Sequence, residues 1–242
     1  MPSALPGVGN VFPPPYLYGY PNKNLPHVLV TTAYLGNLQY FAKLASGAAI
    51  EGCENFQKQT YRNRAEVMTA TGVRTLTVPV VWDHRAKMPI RTVRIDYTLP
   101  WQREHWRTLT AAYAAAPYFD HYAERLAPFY DPTHYHPETL FKLNSDLTVR
   151  LLGLLGLPDA LHVTEEYTAP APLDAAAVAG DFRDIISHKP RLRRPDPTFR
   201  MPEYYQVFAD RNAFAPNLSV VDLLFCEGPA TGQIIRQSVV NP

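Results

Sequence analysis

Apolar positions along the chain fall into short runs and helical stripes. "HVLVTT", His27 to Thr32, is β-rich and apolar and predicts a buried first strand. In "GNLQYFAKLAS", Leu38, Phe41, Ala42 and Ala45 recur near helical spacing, and "AAIEG" behind them reads as a second short strand. Strand, helix, strand implies a right-handed crossover and a parallel pair. Residues 58 to 64, taken as extended, put Lys58, Thr60, Arg62 and Arg64 on one side and Gln59, Tyr61 and Asn63 on the other. In "RTLTVPV", Leu76, Val78 and Val80 share a face, and Pro79, which cannot donate to a ladder, implies an edge or a bulge. "RTVRID" alternates in the same way, with "WDHRAKMP" as the polar loop between the two.

Three helices follow, about Trp101–Ala115, Pro117–Phe129 and Pro137–Leu155. Leu140, Leu147, Leu151 and Leu154 stripe the last one, and Asn144 inside the stripe predicts a buried amide. "LHVTEEY" reads as another strand. Residues 168–202 are proline-rich and form a covering segment rather than a separate core. In "NLSVVDLLFCEGP", Ser219 and Asp222 have the spacing of a capping box, Leu218 and Leu223 that of a staple, and Gly228–Pro229 a helix stop and restart. The sum is one α/β domain over residues 27–242, a small mixed sheet flanked by helices, with α+β as the alternative. Residues 1–26, rich in Pro and Tyr, read as an irregular arm.

Composition narrows the partners. The 242 residues carry a net charge of +1, so no global field draws nucleic acid or anionic lipid. No apolar run reaches the roughly 20 residues of a membrane helix. The N-terminus lacks a signal-peptide pattern, and the two cysteines are too few for a disulfide framework, so a reducing cytoplasm is the expectation. "KPRLRRP" lacks the interleaved aromatics of a nucleic-acid binder, and no Walker or Rossmann glycine pattern appears, so no cofactor is expected. Oligomeric state stays open.

Local charge then matters more. "ENFQKQTYRNR" gathers Lys58, Arg62 and Arg64. Like charges on one face repel unless an anion or carboxylates lie opposite. The stretch therefore forms either a wall for a small anionic or phosphorylated ligand, or a set of pairs with Glu51, Glu54 and Asp96. On the helix from Trp101, His105 sits mid-face between Trp101 and Leu109. A desolvated imidazole stays neutral near pH 7 and is a candidate general base, or else a core histidine bonded to a carbonyl or to Asn144. Cys53 lies between Glu51 and Glu54, which raise a thiol pKa, and Cys226 falls in an apolar helix, so neither reads as a nucleophile. His134 and His136 near Asp131 lack a third ligand, and no metal is expected.

Taken together, "YFAKL", "ENFQKQTYRNR", "LTVPV" with "VRID", "W-x-x-x-H-W", "Y-x-x-x-P-Y-F", "YYQVF" and "FAPNLSVVDLLFCEGP" resemble the WbqC-like family of bacterial proteins, in order, from about His27 to Ile235. Many members of that family open on His-Gln-Pro, where this chain has "TTAYLGN". The family takes its name from O-antigen and surface-polysaccharide gene clusters. The resemblance implies a group-transfer enzyme acting on a sugar nucleotide or other phosphorylated precursor, or, alternatively, a non-catalytic anion-binding or scaffolding protein. By motif it points to Lys58, Arg62, Asn63 and Arg64 with Asn217 and Asp222 for ligand binding, and to His105 for catalysis. Ser219 falls in the same terminal motif, where capping already accounts for it and for Asp222.

Overall fold

The computed structural model describes residues 28–82, 87–158, 161–189 and 193–240. The arm expected for residues 1–26 lies outside them. Strands β1 (Leu29–Val30) and β2 (Ala49–Ile50) pair in parallel, joined by helix α1 (Leu38–Ala45), as the alternation of apolar runs predicts. The Asn37 side chain accepts the Tyr40 amide at 2.9 Å and caps α1, a bond worth about 1 kcal/mol.

Two further strands, β3 (Arg64–Thr69) and β4 (Gly72–Thr77), form an antiparallel hairpin in which Thr69 opposes Gly72 across a two-residue loop. Gly72 has φ 103°, which a glycine adopts without strain. The expectation of an extended 58–64 is corrected here. Gln59 sits at φ 55° and residues 58–63 turn, so the strand begins only at Arg64. "RTVRID" also differs: Ile90–Thr92 is a 3-10 turn, and Arg94 and Ile95 make single bridges to Thr139 and Val80.

Helices α2 (Trp101–Tyr113), α3 (Phe119–Leu126) and α4 (Leu140–Leu154) follow, with Asn144 fully buried on α4. Strand β5 (His162–Val163) completes a parallel sheet in the order β1-β2-β5. The proline-rich segment returns to this sheet. Asp181 bridges Leu29 in parallel, and Phe182, Ile185 and Ile186 enter the common core.

Helix α5 (Val220–Glu227) is buried from Val220 through Cys226, as an apolar sequence on all sides requires. The capping box expected at its start does not form. Ser219 Oγ donates to the Leu35 carbonyl at 2.7 Å, and Asp222 turns inward to accept from Tyr113 and Tyr204, each at 2.6 Å. Gly228, at φ 54°, ends α5, and α6 (Thr231–Ser238) closes the chain. Small parallel and antiparallel sheets with surrounding helices make this a mixed α/β domain.

Candidate functional site

The parallel strands run out into polar residues, and in open α/β sheets ligands gather beyond those carboxyl ends. After β1 come Thr31 and Thr32; after β2 come Glu51 and Glu54, all buried. Glu54 accepts Thr31 Oγ1 at 2.5 Å, Arg62 Nε at 2.9 Å and also Arg62 Nη2. The Arg62 side chain is 1% exposed, and its carbonyl accepts Asn144 Nδ2 at 2.8 Å. Arg62 therefore ties the turn before β3 to β1, β2 and α4. Of the two readings of the basic stretch, the carboxylate pair is the one made at this position.

The other cations part company with it. Lys58 is exposed, its Nζ 3.9 Å from the centre of the Trp82 ring. Arg64 is half-buried, with no ion pair among the described residues and with Nε buried and unbonded. Its neighbour is His188, whose pKa is lowered by burial first and by the Arg64 charge second, and whose Nδ1 is also unbonded. Tyr61 packs edge-on to His188 at 5.9 Å and donates to Glu66 at 2.8 Å, while Asn63 Oδ1 and Asn37 Nδ2 are buried without partners. A buried polar atom left unbonded costs about 1–3 kcal/mol, and Arg64 Nε with the neighbouring His188 Nδ1 makes two such atoms that invite a ligand or water.

The terminal block adjoins this place. The Ser219 amide donates to the Glu66 carbonyl at 2.8 Å, and Asn217, at φ 58°, exchanges bonds with Gln39 at 3.0 and 3.2 Å. Asp222 stands apart in the core. Burial raises its pKa against the bonds from Tyr113, Tyr204 and Gln206. Glu66 and His188 were missed in the sequence: Glu66 lies two residues past the basic motif, and His188 comes from a distant segment.

His105 occupies α2 at 7% exposure. Its Nδ1 lies 2.9 Å from the Tyr34 hydroxyl, which meets the Tyr130 hydroxyl at 3.0 Å, and the backbone of Thr77 bonds the ring as well. With the Thr77 carbonyl taking a ring N–H, Nδ1 is left to accept from Tyr34. Burial lowers the His105 pKa to about 4, so the ring is neutral at pH 7. The carbonyl expected of a core histidine is present, and the second partner is Tyr34 rather than Asn144. A lowered histidine pKa means the unfolded chain binds the extra proton first, so stability is complete above about pH 6.5 and falls towards pH 4. Between pH 7 and 5 this group alone is expected to remove about 2 kcal/mol. Urea midpoints of the wild type and His105→Gln at both pH values check it: the variant should lose less on acidification, and equal losses count against it.

No group of three or more His, Cys, Asp or Glu side chains arranged for a metal ion occurs among the described residues, and none of their helices is long and apolar enough to cross a membrane. A family model described as the WbqC-like protein family matches residues 32–179. The chain belongs to that family. The match takes in the buried Glu54–Arg62 pair, Arg64 and His105 of this WbqC-like chain, and stops short of His188 and the Asn217–Asp222 block. A protein of Mycobacterium tuberculosis (strain ATCC 25618 / H37Rv), named uncharacterized protein Rv1507c, is 34% identical over 112 residues, 46% of this chain and 47% of that protein. The chain thus matches about half the length of that curated relative. No solved structure matches.

Proposed function

We propose that this chain is a cytoplasmic group-transfer enzyme acting on a sugar nucleotide or another phosphorylated precursor in bacterial surface-polysaccharide metabolism. The observation that carries the reading is Arg64, a guanidinium without a carboxylate partner among the described residues, set beside the unbonded nitrogen of His188 and near Arg193. A planar fork with free N–H groups suits a phosphate or carboxylate. Asn63, the residue before Arg64, has an unbonded carbonyl oxygen, and Asn217 bonds Gln39 on α1. Arg62, paired with Glu54, holds the turn that leads into Arg64. His105 supplies a neutral base, reached through the Tyr34 and Tyr130 hydroxyls rather than by direct contact.

A second reading, a ligand-binding protein without chemistry, is favoured by the engagement of both His105 nitrogens. A thermal-shift screen of nucleotides and sugar nucleotides separates the two when paired with product analysis. At a hundredfold excess over the dissociation constant, a binder adds about 2.7 kcal/mol of stability. Arg64→Ala should abolish that gain while leaving the melting temperature of the free protein nearly unchanged. A flat screen, or a full shift in Arg64→Ala, removes the anion site. A shift without product against any acceptor leaves the binding role.

A further inference from the structure

A cleft of about 760 Å³ lies between the first turns of α2 and the segment that follows α3, and Arg64 is not one of the residues lining it. Trp106 and Tyr130 line it, and Arg103, Glu124, Asp131 and His134 stand at its rim. The indole is held in place: it stacks on Tyr130 at 5.5 Å and 24°, and on Phe119 at 6.2 Å and 26°. The Tyr130 hydroxyl is turned inward to Tyr34, which leaves the ring itself as cleft wall.

The rim is also organised. Asp131 Oδ1 accepts the Thr133 amide at 2.9 Å and its hydroxyl at 2.7 Å, and Oδ2 lies 2.7 Å from His134 Nδ1. Those bonds, the Thr133 hydroxyl foremost, hold the Asp131 pKa down to about 2, so the carboxylate stays charged and acceptor-only. Glu124 and the outer nitrogen of His134, whose Nδ1–H is taken by Asp131, add acceptors, and Arg103 adds donors.

We propose that this cleft binds a pyranoside ring, with Trp106 as the platform. A pyranose presents a face of C–H groups and an edge of hydroxyls that both donate and accept. It therefore asks for a flat apolar floor with donors and acceptors mixed around it. The volume suits one or two sugar rings within the usual range of ligand cavities. Competing chemistries fit less well. A phosphate meets Asp131 and Glu124, a quaternary ammonium meets the Arg103 charge, and a nucleobase leaves most of the rim unused. This site stands independently of the anion reading at Arg64.

Saturation-transfer NMR on the full chain tests it, using methyl gluco-, galacto- and mannopyranosides and their disaccharides at about 10 mM, a concentration that detects millimolar affinities. Uridine and choline serve as competing probes. At least one pyranoside should receive saturation mainly on one ring face, and Trp106→Ala should weaken the signal about tenfold or more. Trp106→Phe, which keeps a ring, should retain part of it, and Arg64→Ala all of it. If Trp106→Ala fails to fold, Glu124→Ala on the exposed rim replaces it, with a loss of several-fold expected. No transfer to any pyranoside, equal transfer in the variants, or a stronger response from uridine or choline overturns the proposal.

Discussion

Glu54→Ala is expected to destabilise the protein by about 3–5 kcal/mol, the cost of stranding one member of a buried ion pair. Glu54 is 5% exposed and is the carboxylate that Arg62 reaches with both Nε and Nη2. Without it, the guanidinium has no route to water and Thr31 Oγ1 loses the acceptor it bonds at 2.5 Å. Glu54→Gln keeps the shape and one acceptor and should cost less. Replacing both partners, Glu54→Leu with Arg62→Met, should recover much of the loss, because burying a pair gains little over apolar packing. Urea unfolding of the four proteins measures this. A single Glu54→Ala within about 1 kcal/mol of the parent would mean that the Arg62 charge escapes to solvent or finds another anion.

Arg183→Ala should cost about as much, 3–5 kcal/mol, for the opposite reason: it leaves two carboxylates buried without their cation. Arg183 bonds Asp181 at 2.8 and 2.5 Å, reaches Glu51 at 3.4 Å, and donates to the carbonyls of Thr168 and Ala169 at 2.8 and 3.3 Å. One side chain thus clamps the proline-rich segment onto the end of β2. Burial alone would raise the Asp181 pKa, but the bonds from Arg183 outweigh it and hold the group below its ordinary value. Such a carboxylate stabilises the fold above its unfolded pKa of about 3.9, and the contribution fades as pH falls through the lower folded pKa. In Arg183→Ala the Asp181 carboxylate keeps only the amide bonds from Ala171 and residue 183 against its burial, so its pKa moves up and acid relieves part of the cost. The stability gap between variant and parent should therefore narrow from pH 7 to about pH 4.5. A gap that holds constant or widens would place the cost in lost packing. Limited proteolysis should also cut the variant within residues 168–189 first.

Local pattern carried a good part of this architecture. Leu38, Phe41, Ala42 and Ala45 mark α1 because a helical stripe is a short-range feature of the chain. The leucine stripe of α4 placed Asn144 inside, and its amide is indeed fully buried. Gly228 ended α5 because few other residues adopt φ 54° without strain. The 58–64 stretch misled for a physical reason. Alternation of charge is compatible with a strand, yet the Arg62 side chain gains more by turning in to Glu54 than by lying beside Lys58 and Arg64. That choice depends on a carboxylate eight residues away and on an asparagine from α4.

By itself, the order of residues determined the class of the fold, the extent of most helices, the parallel β1–β2 pair and the desolvated place of His105, since each follows from spacing along a few turns of chain. Only the tertiary structure decided which cation pairs and which remains open. It joined Tyr61 and Arg64 to His188, and His105 to Tyr34 and Tyr130. It also set Trp106 against Tyr130. Those neighbours come from segments far apart in the chain, and no local periodicity encodes the distance between them.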